Sequence, residues 1–245
     1  MAATAAFAGA EVPALEIRGL QAWYGESHIL HGVDLSVKRG EVVTLLGRNG
    51  AGRTTTLRAI MGLTGERRGS VRVHGVETIS LRTHRIARHG LGYCPEERGI
   101  FASLSCEENL MLPPRLPGRG PGMSVDEIYA MFPHLRERRR SPGTRMSGGE
   151  QQMLAVARIL RTGADVLLLD EISEGLAPVI VQALARMIRT LKAKGYTVVM
   201  VEQNFRFAAP LADRLHVMEH GRIVESFDAA QLEEKLPVLH ELLGV

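Results

Sequence analysis

The stretch "LLGRNGAGRTTTL", residues 45–57, fits the pattern G-x-x-x-x-G-K-[ST] from Gly47 to Thr54 at every position but one: the lysine place holds Arg53. The run before it, "EVVTLLG", reads as a buried strand. A helix is expected to begin near Arg53 or Thr54 and to continue through "TTLRAIMGL". Between strand and helix the glycines let backbone N–H groups turn inward around phosphate oxygens, at the positive end of the helix. Thr54 is the hydroxyl placed to hold Mg²⁺. Taken alone, the stretch is equally a Gly-rich strand-to-helix turn with no ligand.

A second stretch shifts that balance. "VLLLDE" is an apolar run ending in Asp170-Glu171, more than a hundred residues further on. An apolar strand delivers its terminal carboxylate to the edge of the sheet beside the glycine loop. Asp170 would then bind Mg²⁺, directly or through water, and Glu171 would polarise an attacking water. Solvated acids at a strand end are the bland reading of this stretch by itself. Together the two stretches favour a phosphate–metal site.

A third stretch, "MSGGEQQMLAVARIL" (residues 146–160), opens on Ser147, Gly148 and Gly149 and enters an amphipathic helix. Its N-terminus is a second place able to hold a phosphate. Two such devices about a hundred residues apart in one chain suggest a nucleotide lying between two chains.

The rest of the chain is consistent with an α/β domain. "LEIRGLQAWYG" and "GVDLSVKRGE" read as two strands of an antiparallel sheet, "GSVRVHG" as another short strand, and "RLHVMEHGRIVES" as a hairpin turning at His220-Gly221. "ADVLLLDE" and "YTVVMVE" are all-apolar strands, as in a parallel sheet covered on both faces. Between about 100 and 165 the character changes. A Pro/Gly-rich loop, "PPRLPGRGPG", and a helical run, "SVDEIYAMFPHLRERRR", point to a small helical subdomain. "LPVLHELLGV" reads as a packing helix at the end.

Composition excludes several classes. The chain has 245 residues, 45% hydrophobic and 23% charged, with a net charge of +3. Such a balance fits an ordinary globular domain and demands no polyanionic partner. Cys94 and Cys106 are too few for a disulfide framework and have no metal-ligand spacing. No apolar run approaches the roughly 20 residues that cross a bilayer, so any membrane spans belong to other chains. The alanine-rich residues 1–13 lack a basic start and read as a disordered leader. The basic run "LRERRRSPGTR" has no interleaved aromatics and reads as a solvated helix end, not a nucleic-acid surface. The nine histidines show no H-x-x-x-H pair, so no zinc site is expected.

With these motifs in this order, the sequence resembles the ATP-binding cassette of ABC transporters over nearly everything after residue 14. "GRNGAGRT" resembles the family's Walker A loop, "VLLLDE" its Walker B strand and "MSGGEQQ" its signature motif. "LLLDEISEGLAPVIVQ", "GYCPEERGIFASLSCEENL" and "VEQNFRFAAPLADR" resemble the paired ATPase subunits of branched-chain amino acid importers. Urea and short-amide importers have very similar cassettes.

The resemblance implies a P-loop NTPase cassette spanning 14–245, with a mostly parallel core sheet, an N-terminal antiparallel β subdomain and a helical signature subdomain. It assigns Gly47, Arg48, Asn49, Gly50, Ala51, Gly52, Arg53, Thr54 and Thr55 to the phosphates and Mg²⁺, and Tyr24 to the adenine ring. It makes Asp170 the metal carboxylate, Glu171 the hydrolytic one, and Glu96 and Gln203 the occupants of the Q-loop and switch positions. Ser147, Gly148, Gly149 and Glu150 would face ATP held by a partner, and Ser173, Glu174 and Gly175 fall on the dimer-contacting D-loop. Implied cofactors are ATP and Mg²⁺. Implied partners are a second, sister ATPase, a transmembrane permease and, indirectly, a solute-binding protein, with the chain peripheral on the cytoplasmic face of the membrane.

Glu96, Gln203 and Ile172 also depart from the general cassette pattern, but the first two occur in the subfamily resembled. The resemblance does not excuse Arg53. A guanidinium keeps the charge and bonds phosphate well, but it is wider than the ammonium for which the nest is sized. The expectation is that Arg53 displaces the γ-phosphate and slows turnover; the rival is that it swings out to solvent. A cassette of translation or DNA repair fits less well, because those proteins carry two cassettes or long coiled-coil insertions. A P-loop kinase has no use for "SGGEQQ".

Overall fold

The computed structural model describes residues 12–244. The chain opens with β1 (Leu15–Tyr24), β2 (Ser27–Val37) and β3 (Val42–Leu46), then α1 (Arg53–Ile60), β4 (Arg67–Val73), β5 (Val76–Glu77), α2 (Thr83–Ala87) and β6 (Leu91–Cys94). Next come α3 (Cys106–Met111), α4 (Val125–Met131), α5 (Pro133–Glu137) and α6 (Gly148–Leu160). The last part holds β7 (Val166–Asp170), α7 (Pro178–Ala193), β8 (Thr197–Val201), α8 (Phe205–Ala208), β9 (Arg214–Glu219), β10 (Arg222–Asp228) and α9 (Leu232–Leu243). The leader read over residues 1–13 lies, up to residue 11, outside the described residues.

Two sheets result. One is antiparallel, in the order β2-β1-β4-β5; the other runs β10-β9-β3-β8-β7-β6 and is parallel except for the β9–β10 hairpin. The all-apolar strands of the second sheet are buried on both faces, and their alternation sorts them into two cores. Val42 and Leu46 of β3, Leu167 and Leu169 of β7, and Val198 and Met200 of β8 join the helices α3–α7 in one core. Val43, Leu45, Val166, Leu168, Val199 and Val201 face the antiparallel sheet and α1 in the other. Each central strand therefore cements a helical layer on one side and a β layer on the other.

Local chemistry sets the helix ends. In α7 the buried residues Leu184, Met187, Ile188 and Leu191 recur at the spacing of one helical face, and Pro178 occupies the first turn, where its missing N–H costs nothing. The run "SVDEIYAMFPHLRERRR" was expected to be one helical stretch, and it is two. The Pro133 ring disfavours helical dihedrals in the residue before it, and Phe132 (φ −127°, ψ 76°) separates α4 from α5. Helix α1 likewise stops at Ile60, short of the "MGL" expected to continue it. His220 and Gly221 both take positive φ at the β9–β10 turn, as the hairpin reading requires. Among the described residues no helix is long and apolar enough to cross a membrane.

Candidate functional site

The loop between β3 and α1 folds over a cleft of about 480 Å³ lined by Tyr24, Ile29, Asn49 to Thr55, Glu96, Glu171 and Glu174. Close approach explains two of the loop's glycines. A Cβ on Gly47 would sit 2.6 Å from the Met218 carbonyl oxygen, and one on Gly52, at φ 102°, would press on Leu30 and Gly221. Arg48, which like Gly47 does not line this cleft, turns its side chain elsewhere. Its guanidinium turns to the C-terminal end of α9 and donates to the carbonyl oxygens of Glu241 and Leu242, each at 3.0 Å.

At the floor, Thr54 Oγ1 donates to Asp170 Oδ1 at 2.9 Å and the Tyr93 hydroxyl donates to Asp170 Oδ2 at 2.9 Å. Asp170 is fully buried at the end of β7. Burial raises its carboxyl above the ordinary value against the two hydroxyl bonds. A buried carboxylate with a hydroxyl at its side is a donor set suited to a hard divalent cation. Tyr93 was not anticipated from the sequence. It sits next to the last residue of β6, paired in parallel with Leu168, and that pairing brings its ring up to Asp170.

Arg53 does not swing out. It is only 4% exposed, and its Nη2 donates to Glu171 Oε1 at 2.6 Å and to Asn49 Oδ1 at 3.3 Å. Its Nη1 is buried without a hydrogen-bond partner among the described residues, a donor that an anion in the cleft would satisfy. Burial and the neighbouring carboxyl of Glu174 push Glu171 up to about 8, against the attraction of Arg53. Glu96, Glu171 and Glu174 bring carboxylate oxygens within 4.8 Å of one another, so Glu96 lies on the cleft wall among acids.

The remaining predicted residues lie elsewhere. Gln203 is exposed in an adjoining groove of about 700 Å³, shared with Glu171, Ser173, Glu174, Gly175 and Glu202. Ser147 caps α6. Its Oγ accepts the Glu150 N–H, while its own N–H donates to Glu150 Oε2 at 2.7 Å, a reciprocal cap. Burial raises the Glu150 carboxyl, but the bonds from Ser147 and Arg138 outweigh it and hold it below the ordinary range. Gly149 is packed against Ile180 of α7, where a Cβ would come within 2.7 Å. Ser147, Gly148, Gly149 and Glu150 are not among the residues lining the cleft. The loop after β6 is strapped to both sides: Glu97 accepts from Arg58 of α1, and Arg98 donates to Gln151 and Gln152 of α6.

The chain is 41% identical over 223 residues to the high-affinity branched-chain amino acid transport ATP-binding protein BraG of Pseudomonas aeruginosa, covering 91% of this chain and 96% of that one. It is 31% identical over 214 residues to the lipopolysaccharide export system ATP-binding protein LptB of Escherichia coli, covering 86% and 88%. Among solved structures, it superposes with a TM-score of 0.76 on the dimeric post-hydrolysis state of the ATP-binding cassette MJ0796 bound to ADP and Pi, at 22% identity and covering 88% and 98% of the two chains. The family profile described as ABC transporter matches residues 30–174. Motifs, sheet topology and relatives agree, and the chain belongs to the ABC transporter family as one of its ATP-binding subunits.

Proposed function

We propose that this chain drives uptake of branched-chain or related amino acids through a separate membrane permease, by binding and hydrolysing ATP. The observation that carries the reading is the convergence of the glycine loop, the Thr54–Asp170 pair and Glu171 on one cleft. The backbone of residues 47–55 would hold the phosphates, Tyr24 would receive the adenine, and Thr54, Asp170 and Glu96 would hold Mg²⁺. When bound, Mg²⁺ neutralises charge on the phosphate oxygens. Glu171 takes a proton from the attacking water once it is ionised, and Gln203 orients the γ-phosphate side from the adjoining groove. Importer is favoured over exporter by the closer likeness to BraG than to LptB.

The cleft lacks the Ser147 cap, which supports a shared site. Ser147, Gly148, Gly149 and Glu150 close over nucleotide held by a sister ATPase, whose own signature helix closes over this one. Residues 14–245 act as one cassette, with the segment of about 100–165 as its helical subdomain. Phe101, Met111 and Leu112 are exposed apolar side chains around α3, and Asn109 of that helix bonds the Phe101 backbone; they suit a permease contact on the cytoplasmic face of the membrane. A solute-binding protein joins only through the permease.

The Arg53–Glu171 bond favours a second reading, a cassette of impaired hydrolysis that acts as regulatory partner of its sister. A urea or amide importer ATPase is the nearest alternative in substrate. The test is to purify the chain with its native partners, reconstitute them in vesicles and follow uptake of labelled leucine and of urea with ATP supplied to the cytoplasmic face. Leucine uptake that stops on removing this chain supports the proposal; export, or uptake of urea alone, refutes the substrate.

A further inference from the structure

Glu171 stands in the left-handed region at φ 48°, a conformation that a residue with a Cβ adopts only where its surroundings impose it. Its surroundings are the end of β8. The Glu171 N–H donates to the Val201 carbonyl at 2.9 Å, and the turn closes with the Glu174 N–H on the Glu171 carbonyl. Two residues beyond Glu171, Ser173 donates twice to one carboxylate: its N–H to Glu202 Oε1 at 3.2 Å and its Oγ–H to Glu202 Oε2 at 2.7 Å.

Glu202 is 1% exposed, forms no ion pair among the described residues, and has both oxygens engaged by Ser173. Its own N–H is tied to Leu45 of β3, the strand that feeds the glycine loop. Burying a carboxylate is costly unless its hydrogen bonds are made, and here the bonds made are all to the loop that carries Glu171. An apolar residue would continue the "TVVMV" run and fill the space without that cost. The acid is placed for its grip.

We propose that Glu202 is a positioning residue: its two-point hold on Ser173 keeps residues 171–174 in the left-handed turn that aims the Glu171 carboxylate into the nucleotide cleft. Gln203, the next residue, starts from the same anchored point, so the turn after β7 and the turn after β8 move as one piece. The inference rests on the proposed hydrolytic role of Glu171.

The test uses the complex assembled with its native partners and compares Ser173→Ala, Glu202→Leu, Glu202→Gln and the Ser173→Ala/Glu202→Leu double variant. Nucleotide affinity should stay within about threefold, because the glycine loop is untouched, while single-turnover hydrolysis falls by about tenfold or more in the Ser173→Ala and Glu202→Leu variants. The double variant should be no slower than the worse single one, as for two ends of one contact. Glu202→Gln keeps an acceptor oxygen and should restore most of the rate. Crystal structures of the Ser173→Ala and Glu202→Leu chains should show Glu171 outside the left-handed region. An unchanged φ at Glu171 in both, or rate losses that add, overturns the proposal, and Ser173→Ala serves alone if Glu202→Leu does not fold. Glu171→Gln runs alongside: if it hydrolyses normally the hydrolytic reading fails, while the backbone measurement still decides whether Glu202 holds the turn.

Discussion

Arg53 of the glycine loop and Glu171 of the turn after β7 are bonded at 2.6 Å, with side chains 4% and 10% exposed. The cation expected to attend the phosphates and the carboxylate expected to activate water thus hold each other. A phosphate that draws the whole guanidinium away must break this buried bond, whereas one received by Nη1 leaves it in place.

Replacing Arg53 by lysine tests this directly. A compact ammonium on a flexible stem sits beneath phosphates without the width of a guanidinium. Arg53→Lys is expected to raise Mg-ATP turnover of the assembled complex by about tenfold or more, since small misplacements cost about a hundredfold. Affinity and turnover are both measured. If neither changes, Arg53 is of no consequence, and a fall in turnover means arginine is the working residue.

Glu171→Gln keeps the side-chain shape and an oxygen for Arg53 but removes the basicity. Nucleotide binding should survive, the ATP-closed dimer should persist on size-exclusion chromatography, and phosphate release should nearly stop. Unaltered phosphate release would remove Glu171 from its proposed role.

Ser147→Arg strips the cap from α6, at about 1 kcal/mol, and puts a bulky cation where the partner's nucleotide would be received. ATP-driven dimerisation should be lost while nucleotide binding by the single chain stays nearly intact. Equal loss of both argues against a shared site.

Glu202 gives a pH signature. Burial raises its carboxyl to about 7, against the hydrogen bonds from Ser173 and the attraction of Arg53. The folded chain therefore holds a proton there that the unfolded chain has released. The stability so gained is complete below the unfolded value near 4.5 and is lost as pH rises through about 7. Urea unfolding midpoints should decline between pH 5 and 8, and less steeply in Glu202→Gln. An identical decline in the variant would show that Glu202 does not cause it.

Much of this was legible in the sequence because apolar runs and glycine spacing are local signals. β3, β7 and β8 follow from "VVTLL", "VLLLD" and "TVVMV", and the Thr54–Asp170 contact follows from strands that end at one sheet edge. What was not legible depends on distant pairing. Tyr93 reaches Asp170 only because β6 lies beside β7, and Glu202 reaches Ser173 only because β8 lies on the other side. Arg48 looked like a phosphate residue from its place in the loop, but the docking of α9, almost two hundred residues later, claims its side chain. The break at Phe132 did have a local signal, Pro133, which the helical pattern around it obscured.

The order of strands also sets a timetable for synthesis. β3 lies between β8 and β9, and its Thr44 pairs with Met200, 156 residues further along the chain. While the ribosome is still making α7, β3 has neither neighbour, and an apolar strand with two bare edges is a template for wrong partners. The glycine loop that hangs from β3 is therefore carried by a strand whose two partners, β8 and β9, are both made after α7. A ribosome that stalls between β7 and β8 therefore holds a nascent chain in which β3 has neither of its partners.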